Sequence, residues 1–284
     1  MTLIAYQGEP GAYSEQASYD FFGSGCTPHG KRTFDEVFDD VAKANADYGV
    51  VPIENTTAGS IHRNYDLLIR HDLHIVGEVM VRISHQLLAL PGVQLSDIKR
   101  IYSHFQPLGQ CEFNLRKLLP DAQRIEVYDT AGSAKMLAAE QRRDTAAIAS
   151  RRAAQLYQLP ILREAIEDDP VANVTRFVVL SRMPSIFEDA PFTDITHNYK
   201  TSIVFTVPNL PGSLFKAMAC FALRNIDLCK IESRPLQGSA WEYLFYIDFI
   251  GRHTDQPCAY ALAHLGEFAK MLRILGSYPC AKRE

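Results

Sequence analysis

Val51-Pro52-Ile53-Glu54-Asn55-Thr56-Thr57-Ala58-Gly59-Ser60-Ile61 decides how this chain is organised. The apolar run Tyr48-Gly49-Val50-Val51 that enters it predicts a strand. Ile61, Tyr65, Leu68 and Ile69 then fall on one face of a helix. A polar turn between strand and helix is where open α/β sheets bind ligands. The helix start also offers unpaired backbone N–H groups, which favour an anion. Asn55 or Ser60 would serve equally as a plain helix cap, so the turn takes its meaning from its surroundings.

Working outward, residues 3–6 predict a strand, and Gly8 to Ser14 a loop. A helix from Tyr13 carries Ala17 and Phe21 inward, and a second has Phe34, Val37, Phe38 and Val41 at helical spacing. Further strands are expected at 73–79, 98–103, 124–127, 146–149 and 173–180. This alternation is an α/β pattern. The Gly8 loop is not GxGxxG, which disfavours a dinucleotide. Residues 183–199, with Pro184 and Pro191, read as a linker. Beyond it come a strand at 201–207, the turn Asn209-Leu210-Pro211-Gly212, and a helix with Leu214, Ala217, Met218, Phe221 and Ala222 on one face. Strands at 228–234 and 241–250, a helix at 259–270 and a strand at 272–275 complete βαββαβ, the ferredoxin-like order. In the second of these strands Trp241, Tyr243, Phe245, Ile247 and Phe249 alternate onto one side.

The 284 residues leave room for two domains with buried cores. A net charge of -4 without a long basic run argues against nucleic acid as a partner. No apolar run reaches the length of a membrane span. Six dispersed cysteines without a CxxC pair read as reduced thiols, and neither a zinc site nor any other cofactor is expected. The first residues lack a signal-peptide pattern, so the expected compartment is the cytoplasm.

Several stretches together resemble prephenate dehydratase in its form with a C-terminal ACT regulatory domain. In order they are Gly11-Ala12-Tyr13-Ser14, the Val51-to-Ile61 turn, Ser103-His104-Phe105-Gln106-Pro107-Leu108-Gly109-Gln110-Cys111, Thr130-Ala131-Gly132-Ser133-Ala134 and Thr175-Arg176-Phe177. Pro211-Gly212-Ser213-Leu214 and Glu232-Ser233-Arg234-Pro235 look like the two phenylalanine-binding motifs. Gly59 to Asp66 and Leu73 to Glu78 look especially like the plant-type arogenate dehydratases. No helical extension of chorismate mutase type precedes the first strand, so a monofunctional enzyme is expected. The resemblance implies a two-lobed, periplasmic-binding-protein-like catalytic domain over 1–182, crossing between lobes near 79 and 173. After the linker at 183–199, an ACT domain would occupy 200–284.

The implied reaction removes water and carbon dioxide from prephenate to give phenylpyruvate, or from arogenate to give phenylalanine. The barrier is departure of the ring hydroxyl, which calls for a hydrogen-bond or proton donor at that oxygen. By carry-over, Thr175 takes that place, with Asn55, Gln110, Ser103 and Glu54 as the remaining catalytic set. Thr56, Gly59, Ser60, His104, Gln106, Thr130, Arg176 and Phe177 are the implied substrate-binding residues. Arg176 pairs with a substrate carboxylate or with an internal acid, and the motif leaves both open. L-Phenylalanine is the implied effector, held by Asn209, Leu210, Pro211, Gly212, Ser213 and Leu214 with Glu232, Ser233, Arg234 and Pro235, in a homodimer or homotetramer. The rival reading is a non-catalytic two-lobed sensor of a small acid, built from the same clefts.

Overall fold

The computed structural model describes residues 1–169, 173–184, 199–236 and 242–281. Trp241 and most of the expected linker, residues 185–198, lie outside the described residues.

The chain opens with β1 (Thr2–Gln7), α1 (Tyr13–Phe22), β2 (Cys26–Lys31), α2 (Phe34–Ala42) and β3 (Tyr48–Asn55). The short β4 (Gly59–Ser60), α3 (His62–Arg70) and β5 (His74–Arg82) follow. Next come β6 (Gln86–Leu88), β7 (Arg100–Ser103), α4 (Phe105–Gln110), α5 (Glu112–Leu118) and β8 (Gln123–Glu126). Then α6 (Thr130–Glu140), β9 (Thr145–Ala149), α7 (Arg151–Leu156), β10 (Ile161–Arg163) and β11 (Val174–Ser181) complete the α/β portion. One sheet runs β2-β1-β3-β11-β5, with β4 paired to β3, and a second runs β10-β6-β9-β7-β8. The chain leaves the first sheet after Arg82 and rejoins it at Val174.

Packing divides the chain into two compact units, Met1–Tyr65 with Val79–Phe177, and Asp66–Glu78 with Val178–Glu284. In the first unit, helices start where side chains satisfy the orphan N–H groups. Thr33 and Glu36 form a capping box on α2, Asp129 caps α6, and Ser150 caps α7. Leu87, Leu88, Ile101, Ala147 and Ile148 form the floor of the second sheet's core, roofed by Leu115, Ala134 and Leu137. Gly11 is required in the loop before α1. Its φ is +94°, and an added Cβ would lie 2.8 Å from the Ala153 Cα at the start of α7.

Helical spacing located the inward faces to within one position. In α1 it is Phe22 that is buried and Phe21 half-buried, because the face drifts by one residue over ten. In α3 Leu67 joins Tyr65 and Leu68 inside, while Ile69 is half-buried.

The second unit contains β12 (Tyr199–Thr206), α8 (Ser213–Ala222), β13 (Leu228–Pro235), β14 (Tyr243–Ile250), α9 (Gln256–Gly266) and β15 (Met271–Pro279). The sheet order β13-β14-β12-β15 is that of a ferredoxin-like βαββαβ. One face packs Ile203, Phe205, Ile247 and Phe249 on Ala217, Phe221, Ala261 and Leu265 of the two helices. The expected inner-face residues Ala217 and Phe221 of α8 are buried and Met218 half-buried, but Leu214 and Ala222 at its two ends are exposed, and Cys220 is buried as well.

Strand alternation puts Lys200, Ser202, Tyr246 and Asp248 on the sheet's other face, and these too are buried. Segment 66–78 of the same unit lies against them. The Lys200 ammonium donates to both carboxylate oxygens of Glu78 at 2.8 and 2.9 Å, and the Ala281 N–H reaches the same carboxylate at 2.9 Å. Arg273 donates to the carbonyls of His71 and Leu73, each at 3.0 Å. A Cβ at Gly276 would meet the Ile75 carbonyl oxygen at 1.9 Å, so this contact tolerates no side chain. No helix among the described residues is long and apolar enough to cross a membrane.

Breaking a buried ion pair strands one charge, which costs about 3–5 kcal/mol, whereas replacing both partners by apolar groups is far less costly. Lys200→Met is therefore expected to lower the urea midpoint much more than Lys200→Met with Glu78→Met, as followed by circular dichroism. Equal losses would show that the pair carries no coupling.

Candidate active site

Asn55, the last residue of β3, is buried with its carboxamide between two distant parts of the first unit. Its Oδ1 accepts from the Thr57 hydroxyl at 2.7 Å and from the N–H groups of Thr57 and Ala58 at 3.0 and 2.8 Å. This Asx turn folds the chain back into β4. Its Nδ2 donates to the Asn173 Oδ1 at 2.8 Å and to the Thr175 Oγ1 at 2.9 Å. Thr56 adds a second tie, with its N–H to the Val174 carbonyl and its hydroxyl oxygen accepting from the Val174 N–H, both at 2.9 Å.

Gln110, at the end of α4, completes the network. Its Nε2 donates to the Thr57 hydroxyl at 2.9 Å, and its Oε1 lies 2.9 Å from His85 Nε2 and 3.3 Å from Asn173 Nδ2. With two donors converging on Oε1, the neutral His85 carries its proton on Nε2. His85 is almost wholly buried between the Tyr13 hydroxyl, 3.3 Å from Nδ1, and Glu167, whose carboxylate accepts the His85 backbone N–H at 2.8 Å. Burial pushes the imidazole pKa down, outweighing the Gln110 hydrogen bond and the Glu167 charge.

A cavity of about 140 Å³ is lined by Asn55, Thr175, Phe177, Gln110, His85 and Tyr13 among others. A larger one, about 450 Å³, shares Tyr13, Pro52, Ile61, His104, Gln106 and Thr130 with it and extends to Gly59, Ser60, Asp129 and Ser150. The first residues of α1, α4 and α6 and the cap of α7 line it, so four helix N-termini aim their positive ends there. No lysine or arginine lines either cavity. Among the described residues no group of His, Cys, Asp and Glu has the arrangement of a metal site.

Of the expected residues, Asn55, Thr175, Gln110, His104, Gln106, Thr130, Gly59, Ser60 and Phe177 line these cavities. Ser103 does not: it is fully buried, and its hydroxyl donates to the Ile148 carbonyl at 2.9 Å. Glu54, Thr56 and Arg176 also lie outside both linings. Strand alternation turns Glu54 away from the side that Asn55 faces. His104 caps α4, half-buried, with its pKa lowered by burial. His85, Asn173 and Asp129 were not singled out from sequence, and Tyr13 only as part of the Gly11–Ser14 motif. A His and a Gln inside the apolar run Ile83-Ser84-His85-Gln86-Leu87-Leu88 were a signal for the first, since buried polar groups need partners.

In the second unit, Asn209 to Gly212 form the turn before α8, with Gly212 at φ +82°, and Ser213 and Leu214 open the helix. Glu232 to Pro235 lie on β13, an edge strand. Arg234 points its guanidinium at Asp66, with Nη2 3.0 Å from Oδ2.

The family model for prephenate dehydratase matches residues 4–185. An Arabidopsis thaliana protein named arogenate dehydratase/prephenate dehydratase 2, chloroplastic, is 49% identical over 285 residues, covering 97% of this chain and 72% of its own. The crystal structure of a prephenate dehydratase in complex with L-Phe from Arthrobacter aurescens superposes with a TM-score of 0.87 at 33% identity, covering 98% of this chain and 90% of that one. A structure described as GqqA, a novel type of quorum quenching acylase, gives a TM-score of 0.86 at 35% identity, covering 98% of both chains. A carbon–oxygen lyase is the class that the matched family, the plant relative and the Arthrobacter structure define. The chain belongs to the prephenate dehydratase family.

The depressed pKa of His85 gives stability a pH dependence. Below about pH 6.5 an unfolded histidine binds a proton that the folded, buried ring resists, so stability falls as pH falls through that value toward the folded pKa. His85→Asn removes this ionisation. Its stability is expected to decline less between pH 7 and about pH 5 than that of the wild type, measured by urea unfolding.

Proposed function

We propose that this chain dehydrates and decarboxylates prephenate to phenylpyruvate or arogenate to phenylalanine. The observation that carries the mechanism is the Thr175 hydroxyl, buried at the cavity wall and accepting a hydrogen bond from Asn55. Because Asn55 donates, the hydrogen of Thr175 is directed elsewhere and is available to the leaving hydroxyl of the ring.

The ring C4–O bond breaks as the C1–carboxylate bond breaks. The electrons of the latter pass into the ring, which becomes aromatic, and the departing oxygen takes up a proton drawn from solvent and leaves as water. A threonine hydroxyl is a weak acid, so Thr175 orients and stabilises the departing oxygen rather than ionising. Asn55 holds Thr175, and Gln110, locked by His85, Asn173 and Thr57, offers its amide to the ring substituents. The helix starts at Tyr13, Phe105 and Thr130 receive substrate carboxylates, with Gly59, Ser60, His104 and Gln106 closing around them.

We assign catalysis to residues 1–182 and regulation to an ACT domain at 200–284, joined by the linker at 183–199. Phenylalanine at the Asn209–Leu214 turn and the Glu232–Pro235 strand would act by favouring a conformation of lower activity. The relative from Arthrobacter aurescens with bound L-Phe supports this reading. So do the exposed Leu210, Leu214, Phe215, Leu223 and Ile231 and the place of β13 at the edge of its sheet, which suit a homodimer or homotetramer. The cytoplasm is proposed on the six free thiols, although the Arabidopsis relative's name places that protein in the chloroplast.

The test is aromatic product formation from prephenate and from arogenate by wild type and Thr175→Val. Wild type is expected to turn over at least one of them. The variant should lose roughly 10²- to 10⁴-fold in kcat with its circular dichroism unchanged. Binding of both acids with turnover of neither would replace the enzyme by the sensor.

A further inference from the structure

Among the described residues that line the two cavities, Asp129 is the single carboxylate. Among the described residues no fixed cation lines the cavities, and His104, the imidazole on which the Asp129 charge acts, has its pKa lowered by burial. Lys135 is engaged with Glu9 at 2.8 Å, and Glu9 also accepts the Tyr128 hydroxyl at 2.9 Å, so the neighbouring charges are spent outside the cavity. Asp129 itself caps α6, accepting the Gly132 N–H at 2.7 Å with the backbone N–H groups of Glu9 and Ala131 also on its carboxylate, and burial, helped by the Glu9 charge, raises its pKa despite those bonds. The site therefore holds a desolvated acid with no counter-ion of its own.

The two candidate substrates differ in one group. Both carry a ring carboxylate and a side-chain carboxylate. The keto acid carries no positive charge, whereas the amino acid has an ammonium beside the side-chain carboxylate. A dianion entering this cavity would meet one like charge and be compensated only by helix dipoles. An amino acid brings its own cation, which neutralises part of its charge and finds in Asp129 the one acidic acceptor on the wall.

Resting on the dehydratase reading above, we infer that Asp129 reads the substrate's amino group, so that the site takes arogenate in preference to prephenate. Asp129 is then a specificity residue, remote from the bonds that break, and its second task as a helix cap is separable from the first.

Asp129→Asn makes the separation, because asparagine caps helices as well as aspartate does but carries no charge. Asp129→Ser, also a good cap, guards against a folding defect peculiar to the amide. Steady-state kcat/KM is measured for both substrates with wild type and both variants. Wild type is expected to favour arogenate, and each variant to lower the arogenate-to-prephenate ratio of kcat/KM by roughly 10- to 100-fold, the worth of one charge-assisted contact. An unchanged ratio, with both substrates falling together, would leave Asp129 a cap and overturn the inference. A wild type that prefers prephenate would overturn it while leaving the dehydratase reading intact. A wild type that converts neither would overturn both.

Discussion

The carboxamide of Asn55 is the interaction on which the site depends. An amide has a donor end and an acceptor end, and here each is used on a different stretch of chain. The oxygen folds residues 55–58 into a turn, and the nitrogen reaches residues 118 and 120 positions later in sequence. No apolar residue could do both, and a carboxylate would meet the oxygens of Asn173 and Thr175 with like polarity. Because the group is buried, every lost bond would leave an unsatisfied polar atom, so the arrangement is rigid. Gln110 repeats the device one step outward, tying Thr57 to His85 and Asn173. Thr175 thereby has its oxygen occupied on one side and its hydrogen directed to the other.

The electrostatics of the cavity follow from the fold rather than from charged side chains. Strand-to-helix turns in the two sheets of the first unit bring helix starts to one place, and their exposed N–H groups supply a positive environment without lysine or arginine. Such dipoles are fixed by the backbone and need no reorganisation when charge moves during elimination. They also leave the cavity sensitive to a single real charge. That is why Asp129, an ordinary helix cap by local chemistry, has weight beyond its cap.

In the second unit the sheet is buried on both faces. Helices α8 and α9 cover one, and segment 66–78 covers the other, pinned by Lys200 on Glu78 and by Arg234 on Asp66. Arg234 belongs to the stretch that resembles an effector motif, and its partner lies in α3, the helix that begins two residues after the Ser60 of the cavity wall.

Local chemistry was readable in the chain. Alternation and helical spacing placed many of the strands and helices to within a few residues, since burial of one face requires that periodicity, and the ferredoxin-like order followed from their succession, but the short β2, β6, β10 and α7 were not anticipated. The motif residues that reach the cavity, Asn55, Gln110 and Thr175 among them, were legible through resemblance. What the chain could not display was partnership across more than a turn or two. Ser103 was implied to be catalytic, yet the fold commits its hydroxyl to the Ile148 carbonyl; His85 was not singled out, yet the fold sets it behind Gln110. Lys200 on β12 drew no notice in the sequence, yet the fold brings Glu78 against it. A side chain's type limits what it can bond to, and that is written in sequence. Which partner it meets depends on the closure of loops more than a hundred residues long, and only the tertiary structure decides that.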